Sequence, residues 1–191
     1  MNKRMFLTAG ASLAALGLLS TGCTTTGGQS GDPEARRQVI DAGVDGALAR
    51  LSKEVPTSDG LVASAKGVLV FPAILGGGFI IGGSHGTGAL RKGGKTVSYW
   101  STTSGSVGLL AGAQSKALFI LFMTQDALDR FERSNGWTAG ADASVAMINV
   151  GASAEITTQT AQQPVVGYVL TNGGLMANLS LDGTRFVRLA L

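Results

Sequence analysis

Two dipeptides in the last third of the chain, Asn172-Gly173 and Asp182-Gly183, constrain the fold most strongly. Two-residue loops of this composition adopt the type I′ turns that join antiparallel strands, because their central residues tolerate positive φ. They separate three runs of β-type sequence, Val165–Thr171, Gly174–Leu181 and Thr184–Leu191. We therefore predict an antiparallel meander, with Ala143–Val150 as a further strand.

Short apolar runs divided by glycine fill the middle of the chain. We predict strands in four of them: Val68–Phe71, Phe79–Ile81, Val97–Trp100 and Ala117–Met123. The last run is continuously apolar, as in a strand buried on both faces. The chain has 29 glycines and only four prolines, which is typical of a β-rich domain with many tight turns.

Two helices are predicted, one before this β pattern and one within it. Asp32, Pro33 and Glu34 form a helix start, and the spacing predicts a helix from Pro33 to Lys53 that ends before Pro56. We expect its apolar stripe to dock on the domain, the alternative being lipid: Val39, Ile40, Val44, Ala47, Leu48 and Leu51.

The second predicted helix runs from Gln125 to about Ser134 and is capped by Thr124. Leu128 and Phe131 should face inward. Ion pairs are expected at i,i+4 spacing: Asp126 with Arg130, and Asp129 with Arg133. Together these elements predict an α+β fold, a mainly antiparallel β sandwich or barrel-like sheet with an N-terminal helix and one helix in the middle of the domain.

The N-terminus resembles a bacterial lipoprotein signal. Lys3-Arg4 precedes an apolar run from Met5 to Leu19, and the small residues before Cys23 are typical of a cleavage site. The run is shorter than the roughly 20 residues that span a bilayer. The resemblance implies that Cys23 carries acyl chains such as palmitate and begins the mature protein. Thr24, in place of Asp, implies transport to the outer membrane.

This interpretation divides the chain into three parts. Residues 1–22 are a signal peptide, residues 23–32 a flexible Gly/Ser/Thr-rich tether, and residues 33–191 one domain. Loss of Lys3 and Arg4 with the signal leaves 13 Lys and Arg residues against 12 acids, so net charge gives no reason to expect nucleic acid as a partner.

Metal and cofactor sites are not expected. The chain has one Cys and one His, which argues against zinc and most transition-metal sites and leaves no pair for a disulfide. We predict no cofactor and no metal.

Two segments match enzyme patterns without the context that those enzymes need. Ala89–Thr96 fits the loose phosphate-loop pattern, but a strand follows where a helix should begin. Gly82–Gly86 fits G-x-S-x-G, yet His85 is the only histidine and is adjacent to Ser84, a poor position for its base. We therefore predict a basic hairpin turn at the first segment and no catalytic activity.

A series of ordered segments resembles the SYLF domain family over about residues 62–191. They are Ala65–Pro72, Gly77–Gly83, Gly86–Gly88, Gly112–Gln114, Phe119–Met123, Ala127–Phe131 and Gly173–Ala177. The resemblance implies a lipid-binding module, since eukaryotic SYLF domains bind phosphoinositides and some bind actin. Bacterial relatives are commonly lipoproteins of uncertain role.

The expected function is therefore that of a lipid-anchored lipoprotein on the periplasmic side of the outer membrane, binding anionic or phosphoinositide-like headgroups. The lipid-binding candidates are a basic cluster, two nearby aromatic residues and two weaker lysines: Arg91, Lys92, Lys95, Tyr99, Trp100, Lys66 and Lys116. Three alternatives stay open: a solvated hairpin tip, an envelope scaffold that binds another protein, and a hydrolase that uses Ser84.

Overall fold

The computed structural model describes residues 32–78, 81–107, 114–148, 162–171, 174–175 and 181–191. Helix α1, Pro33–Glu54, is the first element in this part of the chain. The Asp32 side chain accepts a hydrogen bond from the Glu34 N–H at 3.0 Å. The stripe of Ile40, Val44, Ala47 and Leu51 is buried against the sheet. Both the predicted helix and its docking on the domain are confirmed. Val39, at 73% exposure, lies outside the packed stripe.

The other elements follow in chain order: α2 Ser58–Ser64, β1 Gly67–Gly78, β2 Ile81–Lys92, β3 Lys95–Val107, β4 Gln114–Phe122, α3 Gln125–Arg133, β5 Trp137–Thr138, β6 Ala146–Met147, β7 Val165–Thr171, β8 Gly174–Leu175 and β9 Arg185–Leu189. Helix α2 was not predicted. It has only seven residues and contains Gly60, so neither apolar periodicity nor helix propensity reveals it.

The described strands form one sheet in the order β5-β9-β3-β2-β1-β4-β7-β6, with β8 on β7. Every pairing is antiparallel except that of β6 with β7. The sheet curls into a half-barrel, which confirms the predicted α+β class in its barrel-like form. These strands and the three helices lie in one compact unit, Gly31–Leu191.

Each face of the sheet carries its own core. On the aromatic face, α3 and β5 cover the sheet, and its largest buried side chains are Phe71, Trp100, Phe122, Phe131, Trp137 and Phe186. On the helix face, α1 packs over aliphatic residues and two aromatic ones, including Val68, Val70, Phe119, Leu121, Val166 and Tyr168. The middle strands are therefore covered on both sides.

Strand β4 shows this double burial most clearly. All its residues from Ala117 to Phe122 are at most 4% exposed, which confirms the prediction of a strand buried on both faces. Helix α3 is also as predicted. Thr124 Oγ1 accepts a hydrogen bond from the Ala127 N–H at 3.3 Å, and Leu128 and Phe131 are buried.

The surface of α3 carries the two expected ion pairs. Arg130 lies 2.9 Å from Asp126, and Arg133 lies 3.9 Å from Asp129. All four side chains are largely exposed, so these pairs contribute little to stability.

A bulge in β1 positions α1 on the sheet. The β1–β2 register shifts between Val70 and Ala73, and Pro72 lies in this irregular stretch, where it need not donate a ladder hydrogen bond. A Cβ on Gly43 of α1 would lie 3.0 Å from the Pro72 ring, so the helix approaches closely here. Gly43, which weakens the isolated helix, thus favours its packing.

The C-terminal meander is only partly as predicted. Thr171 pairs with Gly174, as a two-residue loop requires, although Asn172 and Gly173 themselves lie outside the described residues. At the second turn, Thr184 N–H donates to the Leu181 carbonyl and Gly183 has φ +77°.

The strand after that turn has other neighbours than the prediction gave it. In the described residues β9 pairs with β3 and β5, not with β8. The reason is the burial of Phe186, whose ring centroid lies 5.5 Å from those of both Phe71 and Trp137.

One other predicted strand differs from the structure, and another lies mainly outside the described residues. Ala143–Val150 supplies only the short β6, parallel to β7, and residues 149–150 lie outside the described part. Phe79 and Ile80 also lie outside it, and Ile81 begins β2.

Candidate functional site

The predicted basic cluster lies at the hairpin that joins β2 to β3. Lys92 pairs with Lys95, and the turn residues Gly93 and Gly94 have φ of +53° and +79°, which glycine adopts without strain. Strand β3 follows directly, so the segment lacks the helix N-terminus on which a phosphate loop depends. The prediction of a basic hairpin turn is confirmed.

Arg91 connects this hairpin to α1. Its guanidinium donates to Asp45 Oδ1 at 2.7 Å and to the Gly94 carbonyl at 2.9 Å, and its side chain is only 14% exposed. Asp41, one helical turn before Asp45, lies 3.6 Å from the same group. The charge of Arg91 is therefore neutralised within the fold.

The Asp41 carboxylate contacts three side chains of strands β2 and β3. Its carboxylate accepts hydrogen bonds from Thr96 Oγ1 at 2.6 Å and from the Tyr99 hydroxyl at 2.9 Å, in addition to its ion pair with Arg91. Burial, together with the hydrogen bond to Asp41, raises the pKa of Tyr99 above its ordinary value. Tyr99 thus holds α1 on the sheet, and its hydroxyl is already engaged.

The remaining cations of the hairpin differ from each other. Lys92 Nζ lies 2.6 Å from Glu132 of α3, an ion pair between elements on the aromatic face. Lys95 is exposed, and none of the ion pairs in the described part of the chain involves it. Two of the three predicted headgroup contacts are therefore committed to internal acids.

Trp100 cannot serve as an interfacial aromatic residue. Its side chain is fully buried, with its ring centroid 4.2 Å from that of Phe131, and Nε1 donates to Ser98 Oγ at 2.9 Å. Neighbouring residues of a strand face opposite sides, so Tyr99 points to α1 and Trp100 to the aromatic core. The sequence prediction for Trp100 is wrong for this reason.

The two weaker candidates lie far apart. Lys66 is exposed just before β1, and its N–H donates to the Phe122 carbonyl at 2.8 Å. Lys116 lies at the other end of β4, roughly 20 Å away at about 3.4 Å per residue. It is half-buried, and burial lowers its pKa. Lys66 lies at the same end of the sheet as the hairpin, since Val68 pairs with Arg91, whereas Lys116 lies at the opposite end and does not belong to that patch.

Asp41, Asp45 and Glu132 were not singled out as site residues. The i,i+4 spacing of Asp41 and Asp45 could have indicated one acidic helix face. It gives no indication of which strand that face meets.

The G-x-S-x-G segment lies within β2, not at a turn between a strand and a helix. Ser84 Oγ lies 2.7 Å from Ser104 Oγ on the neighbouring strand. His85, the next residue, points to the opposite face of the sheet. The pair therefore lacks the geometry of a serine nucleophile and its base.

Membrane-spanning helices and groups of metal ligands are both absent from the described residues. No helix among them is both long and apolar enough to cross a bilayer. No three of their His, Cys, Asp and Glu side chains are grouped as metal ligands would be. Cys23 and the predicted signal peptide lie outside the described residues.

A family model described as Ysc84, the Las17-binding protein actin regulator, matches residues 103–189. This match supports a SYLF (Ysc84) domain in the chain. The SYLF match begins within β3 and ends with β9, so it includes α3 and only some of the strands that line the aromatic core. Strands β1 and β2, which precede it, complete the same sheet. No curated protein matches the chain.

Proposed function

We propose that this protein is an outer-membrane lipoprotein, anchored by acylated Cys23 on the periplasmic side, whose SYLF domain binds the anionic lipid surface to which it is tethered. The observation that carries the proposal is a lipoprotein-type cysteine, Cys23, ahead of a domain whose residues 103–189 match the SYLF (Ysc84) family. Helix α1 starts at Pro33, ten residues after Cys23. A flexible tether of that length has a reach of about 17 Å, so the domain would remain near the bilayer.

The acyl chains would supply most of the attachment. Each buried CH₂ contributes about 0.8 kcal/mol, whereas a basic residue near an anionic surface contributes about 1 kcal/mol. Because Arg91 and Lys92 are paired with acids, only Lys95 of the hairpin is free to make such a contribution. The hairpin would therefore add little to the attachment that the acyl chains provide, and selectivity of the domain for anionic or phosphoinositide-like headgroups would depend on other exposed cations.

A protein partner is the second candidate. The matching family is described as a Las17-binding protein, which names a protein ligand. On this alternative the domain is an envelope scaffold that binds another protein and no lipid. Lipid retained by the purified full chain favours the first function, and a stoichiometric co-purified envelope protein favours the second.

We also propose that the chain is not an enzyme. Ser84 lies within a strand and hydrogen-bonds to Ser104, and its neighbour His85 faces away from it. Serine hydrolysis needs a base within hydrogen-bond reach of the nucleophile. An activity that Ser84→Ala abolishes would overturn this part of the proposal.

Membrane fractionation of a Cys23→Ser variant tests the anchor. We expect the wild-type chain to sediment with the outer membrane after a high-salt wash, and the variant to lose this attachment because it cannot be acylated. Thr24→Ser is the matched control, since it alters the next residue and keeps the cysteine. If Cys23→Ser sediments like the wild type, the lipoprotein proposal fails.

A further inference from the structure

Helix α1 covers only part of the helix face of the sheet. Beyond it, β1, β2 and β3 present two cross-strand rows, which we call the open sheet face: Leu75-His85-Thr103 and Gly77-Gly83-Gly105. A groove of about 280 Å³ lies where this face meets α1, lined by Ala35, Arg36, Val39, Ile40 and Thr87. The open sheet face and the start of α1 therefore form one continuous surface.

Large apolar side chains are exposed on this surface. Val39 is 73% exposed and Leu75 is 65% exposed, more than any other large hydrophobic residue in the described part of the chain. Val39 and Thr87 line the same groove, Thr87 is two residues from His85 on the same strand face, and His85 pairs with Leu75. Exposed apolar residues grouped in this way mark an interaction surface.

The strand segments of this surface are free of charge, whereas the start of α1 carries Asp32, which caps the helix, and Glu34, which pairs with Arg37. No Asp, Glu, Lys or Arg occurs from Ala73 to Leu90 or from Thr96 to Ser115, in a chain that is 14% charged. Arg36 in the groove is exposed, and no ion pair in the described part of the chain involves it. The surface thus combines apolar side chains with one available cation, which suits a bilayer with anionic headgroups.

The central strand of the open sheet face is already paired on both sides. Gly83 belongs to β2, which has a partner strand on each side. A Cβ on Gly77 or Gly105 would meet nothing within 4 Å, so no side chain projects here. A lipid surface could approach this part of the sheet closely without leaving strand hydrogen bonds unmade.

The position of the predicted tether indicates that the bilayer covers this surface. The chain leaves α1 at Pro33, and Val39 is six residues into the helix, about 9 Å from its start. An acylated Cys23 would thus hold Val39 and the adjacent groove close to the bilayer. This step rests on the proposed function.

We propose that the open sheet face and the first turns of α1 form the surface that contacts the membrane. Leu75 and Val39 lie at the boundary between headgroups and acyl chains, and Arg36 lies near the phosphates. The basic hairpin, at the opposite end of β2 and β3, faces away from the bilayer.

A site-specific fluorophore tests this orientation. The only native cysteine is Cys23, and acylation blocks its thiol, so Leu75→Cys provides a unique labelling site in the acylated full chain. Val97→Cys is the matched control, because Val97 is also an exposed apolar residue, at 44%, and lies near the hairpin. Each variant carries an environment-sensitive dye and is reconstituted into vesicles of phosphatidylethanolamine and phosphatidylglycerol.

We expect the dye at position 75 to shift to shorter wavelength and to be quenched by quencher-bearing lipids at least about twofold more than the dye at position 97. Equal quenching, or stronger quenching at position 97, overturns the inference. Because Leu75→Cys is at an exposed position, unchanged circular dichroism should verify the fold.

A second variant keeps the inference falsifiable without a dye. Val39→Glu with Leu75→Glu should reduce by about tenfold the crosslinking of the acylated chain to photoreactive phospholipids, and Val97→Glu should not. An unchanged yield in the double variant overturns the inference.

The two proposals fail in distinguishable ways. If mass spectrometry finds Cys23 acylated and the chain is retained on vesicles while position 75 stays in water, only the orientation is wrong. If Cys23 carries no acyl chain, both are wrong.

Discussion

Asp41 and Arg91 show how single side chains join the helix to the sheet. Asp41 accepts hydrogen bonds from Thr96 and Tyr99, and Arg91 donates to Asp45 across the same junction. These contacts use charged groups that are partly shielded from water, where a hydrogen bond to a charge contributes about 1.5–3 kcal/mol. The residues that looked like a ligand site are therefore largely committed to stability.

Arg91→Gln should lower the free energy of unfolding by about 1–3 kcal/mol, because it removes the partner of two carboxylates at a junction where Arg91 is 14% exposed. Lys95→Gln is the matched control and should change stability by less than about 0.5 kcal/mol. Urea unfolding monitored by circular dichroism measures both. Equal midpoints for the two variants would contradict the role of Arg91.

Tyr168→Phe should increase stability by about 1 kcal/mol. The Tyr168 side chain is fully buried and its hydroxyl has no hydrogen-bond partner, so removing that hydroxyl removes a desolvation cost. Tyr99→Phe is the control and should lower stability, since Tyr99 donates to Asp41. Thermal unfolding at neutral pH separates the two.

Tyr168 also predicts that the stability of the protein depends on pH in the alkaline range. Burial raises the pKa of Tyr168 to about 12, so the folded protein holds this phenol proton more tightly than the unfolded chain does. The protonated Tyr168 phenol therefore makes its full contribution to folding stability below about pH 10, and this contribution is lost as the pH rises towards 12. The advantage of Tyr168→Phe over the wild type should widen across that range, and a constant difference would show that the phenol is accessible.

At the scale of elements, close approach between strands and helices depends on glycine at particular positions. Gly88 is the clearest case, because a Cβ there would lie 2.1 Å from the Val70 carbonyl oxygen and 2.7 Å from the Phe71 ring. These contacts lie at the β1 bulge next to Pro72. The bulge and the glycine therefore act together to bring β1 and β2 into register beneath α1.

Gly88→Ala should lower stability by about 3 kcal/mol or more, because the added methyl group meets backbone that cannot move without breaking the sheet. Gly77→Ala, on the neighbouring strand with nothing within 4 Å, should change stability by less than about 0.5 kcal/mol. Thermal unfolding of the two variants, or soluble yield if Gly88→Ala fails to fold, tests this. Similar melting temperatures would contradict the observed strand approach.

At the scale of the whole molecule, α1 has two roles on its two sides. Its buried stripe closes the aliphatic core of the helix face, and its first turns carry the exposed Val39 beside the open sheet face. The helix is also the first element after the tether. It therefore links the proposed anchor to the core on which the whole domain depends.

Val44→Asp should lower the free energy of unfolding by about 3 kcal/mol or more, because Val44 is fully buried and an aspartate there would be an unpaired buried charge. Val39→Asp, five residues earlier on the exposed side, should leave stability within about 0.5 kcal/mol of the wild type. Urea unfolding and binding of a hydrophobic dye report the loss of packing. A stable Val44→Asp variant would show that α1 is dispensable for the core.

Local signals predicted the elements of this protein well. The caps at Asp32 and Thr124 are local hydrogen bonds between residues two or three apart, and both are present as expected. The uniform apolarity of Ala117–Met123 likewise predicted a strand covered on both faces, because burial leaves no polar position in such a strand. The basic hairpin was likewise predicted locally, because the strand sequence of Val97–Trp100 follows where a phosphate loop needs a helix.

What the sequence by itself determined is thus the helices α1 and α3, the doubly buried strand β4 and the hairpin between β2 and β3, since capping and periodicity act over a few residues. Only the tertiary structure decided that β9 lies between β3 and β5, that Trp100 is a core residue, and that acids of α1 and α3 neutralise Arg91 and Lys92. These outcomes depend on contacts between residues far apart in the sequence, such as Lys92 with Glu132, 40 positions apart, and Ser101 with Val187, 86 positions apart. No local pattern encodes such contacts, because they form only when buried surfaces from distant segments fit together.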